Sequence, residues 1–239
     1  MSAYTEFSQI YDLFFPLKEN VYRFLKSFLT SGQTSVLDIG CGTGHYCARF
    51  ADEGYTAVGI DPDTGMIEIA KKKTTSAVFY LLSAQQIEAL NPQFDLVFSI
   101  GNSMSHLSRD DFNFFLAKLR HLLKPDGLWI FQVVNWDRII AQGGNTFPII
   151  TNDETGLSLH RQYVHFSEKK LLFKIEIKDK NDKSVLQSTQ PLYPLPSEEC
   201  IRLHQENGFI LKAHYGDYNS APFKKADSGA SIYIFSQDS

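Results

Sequence analysis

The chain has 239 residues, enough to bury a full core as one domain with an insertion. Its 23 basic and 27 acidic residues leave a formal net charge of −4, which gives no electrostatic reason to expect a nucleic-acid partner. No apolar run reaches the length of a membrane span, the first residues lack the basic and apolar stretches of a secretory leader, and Cys41, Cys47 and Cys200 lack paired spacing. A cytoplasmic protein with reduced thiols is therefore expected, with no metal site and no membrane partner. Apolar positions at helical spacing over residues 17–30 predict a helix that stops before Ser31 and Gly32. Residues 35–39 predict a buried first strand, 44–52 a helix and 55–60 a second strand. Residues 63–73 predict a helix with Asp63 as N-cap and with Lys71, Lys72 and Lys73 at its C-terminal end, where they complement the dipole and are expected to be solvated. Strands follow at 77–82 and 94–99, then a helix at 109–123, a turn at Pro125, Asp126 and Gly127, and a fifth strand at 128–134.

Strands alternating with helices in this way imply βαβ units and a parallel sheet. The pattern then changes. From about 157 to 190 the helical period is absent, and three alternating segments separated by polar turns read as antiparallel strands inserted after the fifth strand. Ser197 is expected to cap one more helix, and residues 208–215 and 230–235 to supply two final strands. The chain is divided accordingly into an N-terminal helical cap (1–32), an α/β core (33–136), a substrate-side insertion (137–190) and the completion of the core (191–239).

The most informative stretch is VLDIGCGTG at 36–44, answered by VGID at 58–61. A strand, a tight turn of glycines and a helix let backbone approach a ligand closely, and a carboxylate at the tip of the next strand can accept hydrogen bonds from a ribose diol. The dinucleotide fingerprint places its third glycine one residue later, where His45 stands. G-x-G-x-G with Asp38 two residues before Gly40 resembles the first motif of class I S-adenosylmethionine-dependent methyltransferases. FDLVFSIG at 94–101 and LLKPDGLWI at 122–130 resemble the fourth-strand and fifth-strand motifs of the same family, in the same order.

The resemblance implies a Rossmann-like seven-stranded, mostly parallel sheet with an antiparallel insertion and an N-terminal helical cap. It implies S-adenosyl-L-methionine as cofactor. Gly40, Gly42 and Gly44 would leave room for it, and Asp38 would border it. Asp61, with Pro62 beside it, would hold the ribose hydroxyls. Ala84 and Gln85 would lie by the adenine, and Ile100 and Gly101 along the methionine moiety. Residues 101–107, GNSMSHL, resemble the corresponding stretch of glycine and sarcosine N-methyltransferases, which points to a small amine acceptor and makes Asn102 and His106 candidates at the reacting centre. Tyr4, Phe7 and Tyr11 form an aromatic series before the first predicted helix. Methyltransferases of this type often fold that segment over the cofactor, which makes Tyr11 a cofactor neighbour and Tyr4 an acceptor neighbour. Arg161, on an insertion strand, can pair bidentately with a substrate carboxylate if it points inward. The expected activity is methyl transfer to a small molecule by a monomer or homodimer. Transfer to oxygen, and a cofactor-binding protein without turnover, are the alternatives.

Overall fold

The computed structural model describes residues 3–238, with side chains from residue 7 onward. The elements in chain order are α1 (Ala3–Phe14), α2 (Glu19–Lys26), β1 (Ser35–Ile39), α3 (His45–Asp52), β2 (Thr56–Asp61), α4 (Thr64–Lys73), β3 (Val78–Leu81), β4 (Phe94–Ser99), α5 (Arg109–Leu119), β5 (Leu123–Val134) and α6 (Trp136–Ala141). They continue with β6 (Ile150–Asn152), β7 (Leu157–Val164), β8 (Leu171–Lys178), β9 (Ser184–Leu192), α7 (Ser197–Glu206), β10 (Phe209–Tyr215) and β11 (Ala230–Gln237). The main sheet has the order β10-β11-β5-β4-β1-β2-β3. β1 to β5 pair in parallel, and β11 runs antiparallel to both β5 and β10.

The central strands are covered on both faces, so they read as continuous apolar runs and not as alternation. Every residue of β4 is buried, and Val36, Leu37 and Ile39 of β1 are at most 1% exposed. α2 belongs to this core: Tyr22, Phe24 and Leu25 are buried, and Tyr22 stacks edge-on against Phe50 at 4.8 Å. The expected cap of residues 1–32 is therefore α1 alone.

The insertion forms a second sheet, β6-β7-β8-β9, antiparallel throughout. Its inward face carries Leu159, Ile175, Ile177 and Leu186, which pack with Phe7 and Phe14 of α1 and with Met66 of α4. α1 is thus wedged between the body of the main domain and the second sheet.

Several local expectations change. β5 begins at Leu123, because Pro125, Asp126 and Gly127 form a bulge: Phe94 pairs with Leu123 and Leu96 with Leu128. A Cβ at Gly127 would lie 2.8 Å from the Phe94 carbonyl oxygen, which is why glycine stands there. Ser197 is the first residue of α7 and not its cap; Pro196 occupies the cap position, and the Ser197 amide donates to Oδ2 of Asp137 at 2.9 Å. Asp63 caps α4 as expected, accepting from the Met66 amide at 3.0 Å. The short helix α6 and the 3₁₀ turns Ala84–Ala89 and Ser103–His106 were not anticipated, since elements this short carry no readable period. No described helix is long and apolar enough to cross a membrane.

Candidate active site

The strand order reverses between β1 and β4, and ligands of such sheets bind beyond the carboxyl ends of the strands at that point. The glycine turn lies there. Gly40, Gly42 and Gly44 have φ of +78°, +53° and +76°, conformations open to glycine at little cost. The amides of Gly40 and Cys41 both donate to the Ile60 carbonyl, at 2.8 and 2.9 Å, which ties the turn to β2. A Cβ at Gly44 would stand 2.7 Å from the Phe79 ring and 2.9 Å from Ala70. That glycine therefore lets α3 start hard against β3 and α4.

Asp61 ends β2. Its Oδ2 accepts from the Gly42 amide and its Oδ1 from the Asp63 amide, each at 2.9 Å. These bonds aim the carboxylate but leave lone pairs for a further donor. Burial lifts its pKa to about 6, against the pull of those two amides. Asp38, at 1% exposure, is buried more deeply, and its Oδ1 has no hydrogen-bond partner among the described residues. Burial, and then the charge of Asp61, push its pKa well above the carboxylate range. A buried carboxylate oxygen without a donor is costly unless a cation or donor arrives with the ligand. A ribose diol at Asp61 and an ammonium at Asp38 meet both demands, so these residues fit a nucleoside joined to an amino acid.

The remaining walls come from three places. Ala84 and Gln85, partly exposed, open the 3₁₀ turn after β3, and Lys118 fixes that turn by donating to the Gln85 carbonyl at 2.7 Å. Gly101 donates to Oε1 of Gln132 at 2.9 Å. Asn102, at φ +71°, accepts at Oδ1 from Ser105 Oγ at 2.8 Å and from the Val134 amide at 3.0 Å, while Trp136 Nε1 donates to Ser105 Oγ at 3.0 Å. The carboxamide oxygen of Asn102 is thus spent on locking the loop, and its nitrogen is what it can offer a ligand. His106 stands on the open rim of the same loop, facing the Pro191 carbonyl; the protein packed behind it holds its pKa below the ordinary imidazole value.

α1 covers the turn. The Tyr11 ring lies over Gly42, 3.7 Å from where a Cβ would be. Asp12 next to it accepts from Thr43 Oγ1 at 2.5 Å, from His45 Nε2 at 2.8 Å and from Lys73 Nζ at 2.9 Å. Lys71, Lys72 and Lys73 are exposed, as expected of a solvated helix end, but Lys73 is also engaged with Asp12. The Tyr4 side chain lies outside the described residues.

The second sheet supplies the roof. Arg161 shares the inward face with Leu159, which packs under α1, and with Tyr163, whose ring is 5.8 Å from that of Trp136. Its position along β7 is therefore between α1 and the Asn102 loop. Its Nη2 donates to the Pro148 carbonyl at 3.2 Å and its guanidinium lies over the Phe147 ring, yet no carboxylate pairs with it among the described residues, and Nε is buried without an acceptor. A separate cavity of about 470 Å³ beside α6 and Pro196 shares no residue with the glycine turn.

Asp12 and Thr43 escaped the sequence reading, Lys73 was read only as part of a helix end, and His45 drew notice only for interrupting a glycine spacing. The four come from separate parts of the chain.

Residues 36–127 match a family described as a methyltransferase domain. The glycine/sarcosine N-methyltransferase of Aphanothece halophytica is 26% identical over 221 residues, covering 90% of this chain and 80% of that one. The enzyme of the same description from Halorhodospira halochloris is 25% identical over 218 residues, covering 88% and 78%. An S-adenosylmethionine-dependent methyltransferase from Clostridium acetobutylicum superposes over 100% of both chains with a TM-score of 0.81 at 16% identity. An amino pentose methyltransferase from Micromonospora echinaspora, solved with S-adenosylmethionine bound, covers 92% of this chain and 89% of its own with a TM-score of 0.66 at 14% identity. The solved structures share the fold.

Proposed function

Because the chain is an S-adenosylmethionine-dependent methyltransferase of the class I fold, we propose that it methylates the nitrogen of a small amine that also carries a carboxylate. The observation that carries this reading is Arg161: a half-buried residue of β7, set between Leu159, which packs with α1, and Tyr163, which packs near Trp136, with its Nε buried without an acceptor and no carboxylate paired to it among the described residues. A half-buried arginine without a carboxylate suits a bidentate acid. The glycine and sarcosine relatives, whose names specify amino-acid acceptors, agree with it.

When bound, S-adenosylmethionine supplies a methyl group already activated on a sulfonium. The residues of this chain position and enclose. Asp61 and Pro62 hold the ribose, Asp38 the ammonium of the methionine part, Gly40, Gly42 and Gly44 the close backbone approach, Ala84 and Gln85 the adenine, and Ile100 and Gly101 the methionine chain. Tyr11 presents its ring to the sulfonium side, and α1 with the second sheet excludes water. A neutral amine needs no base during attack. Asn102 orients the acceptor by donating from its carboxamide nitrogen to the acceptor's carboxylate, which leaves the amine lone pair free to attack, Tyr4 and Arg161 bind the acceptor, and His106 on the rim receives the proton afterwards. On this reading the helical cap within residues 1–32 closes over the cofactor, residues 137–190 serve the acceptor side, residues 33–136 and 191–239 form the cofactor domain, and the protein works in the cytoplasm as a monomer or homodimer without nucleic acid or membrane.

The test is a screen of amino acids, their amides, simple amines and hydroxy compounds, following S-adenosylhomocysteine release. Turnover of amino acids but not of their amides is expected. Turnover of hydroxy compounds alone would establish transfer to oxygen, and tight cofactor binding without any turnover would establish a binding protein.

A further inference from the structure

Asp12 is the point where four parts of the molecule meet. Its carboxylate accepts from Thr43 in the glycine turn, from His45 at the start of α3 and from Lys73 at the end of α4. Lys73 in turn reaches Thr43 Oγ1 and His45 Nδ1, each at 3.1 Å. The residue before it, Tyr11, lies over Gly42, and Gly42 donates to Asp61. These polar bonds act together with the apolar seats of Phe7 and Phe14, and with Ile10, Tyr11 and Phe15 beside them, to press α1 onto the domain.

Partly exposed ion pairs of this kind contribute little to folding. Their placement suits another role, because Tyr11, the residue before Asp12, covers Gly42, whose amide is bonded to Asp61, and so stands over the unit proposed to seat the cofactor. We propose that Asp12 is a positioning residue that clamps α1 over the glycine turn and so sets how long the cofactor and its product stay bound. The inference rests on the reading of the glycine turn and Asp61 as the cofactor site. Asp12 acts through Tyr11 and the turn, not by touching the reacting atoms.

The experiment follows release of S-adenosylhomocysteine from the full chain by stopped-flow fluorescence, with calorimetric affinity alongside. Asp12→Ala is expected to speed release roughly tenfold or more, the change that corresponds to one decade in affinity, and Asp12→Asn, which keeps an acceptor but loses the charge facing Lys73, is expected to fall between. Lys73→Met should speed release in the same direction, and the double variant should be no faster than Asp12→Ala, because both changes break one clamp. Should Asp12→Ala fail to fold, Lys73→Met carries the test. A release rate unchanged in these variants, or strictly additive effects, would overturn the clamp. Asp61→Ala separates the two ideas: if it loses binding while Asp12→Ala releases at the wild-type rate, only the clamp falls. If Asp61→Ala binds as the wild type does, the cofactor-site reading falls and the clamp with it.

Discussion

The Gly42 amide donates to Oδ2 of Asp61 across 2.9 Å, so the glycine turn and the acidic tip of β2 form one unit. Removing the carboxylate frees the turn and, on the proposed reading, takes away the acceptor for the ribose hydroxyls. Asp61→Ala is expected to weaken S-adenosylmethionine binding by roughly 1–3 kcal/mol, the cost of leaving polar partners unsatisfied. The fold should persist, since Asp61 ends a strand and lies outside the apolar clusters. Calorimetry gives the affinity and circular dichroism the fold.

Cofactor affinity should depend on pH through the same carboxylate. Burial raises its pKa to about 6, so below that value the ribose loses a charged acceptor and affinity declines. The stability of the ligand-free protein moves the other way. A folded-state pKa above the ordinary value of about 3.9 means that the folded form binds more protons between pH 6 and 4, so Asp61 destabilises less as pH falls through that window. Asp61→Asn should abolish the bend in affinity near pH 6 and flatten that part of the stability profile. Calorimetric titrations and urea melts at pH 5, 6 and 7 read both.

Gly42 and Gly44 should respond differently to alanine. At Gly42 the positive φ alone is strained, since a Cβ meets only the Tyr11 ring at an ordinary 3.7 Å; a cost of roughly 1–2 kcal/mol is expected. At Gly44 the Cβ also collides with Phe79 and Ala70, adding an overpacking cost of about 1–3 kcal/mol. Gly42→Val should keep most secondary structure yet lose cofactor binding, because its branched side chain occupies the space under Tyr11. Chemical denaturation separates the two glycines.

Arg161→Ala should raise the Michaelis constant for carboxylate-bearing acceptors by the roughly 1.5–3 kcal/mol of a charged hydrogen bond, about ten- to a hundredfold, and leave neutral acceptors unchanged. An equal loss on neutral acceptors would place the arginine in the packing of the roof and not against the substrate.

If the insertion served the acceptor side alone, deleting residues 157–187 would remove acceptor specificity and spare cofactor binding. The packing of Phe7 and Phe14 on Leu159, Ile175, Ile177 and Leu186 alters that expectation. Without the second sheet α1 loses its roof, so cofactor affinity should fall with specificity. Retained affinity in a soluble deletion variant would show that α1 stays seated by its polar contacts alone.

What the sequence determined by itself is the chemistry that short stretches of chain carry. The buried runs at Val36–Leu37 and through β4, the glycines with positive φ, and a carboxylate at the end of the next strand are set by local sterics and periodicity. They place Gly40, Gly42, Gly44, Asp38 and Asp61 at the carboxyl ends of β1 and β2. The alternation of Leu159, Arg161 and Tyr163 likewise puts them on one face of β7. Which side that face meets was decided only when the second sheet closed over α1. The same holds for Asn102, whose oxygen is committed to Ser105 and Val134, and for the grip of Asp12 on Thr43, His45 and Lys73. Apart from the Asn102–Ser105 bond, which closes a local turn, those bonds join residues some thirty to sixty positions apart, and no local period or turn rule encodes them; they exist because the packing of α1, α4 and two sheets brings the groups within hydrogen-bond range.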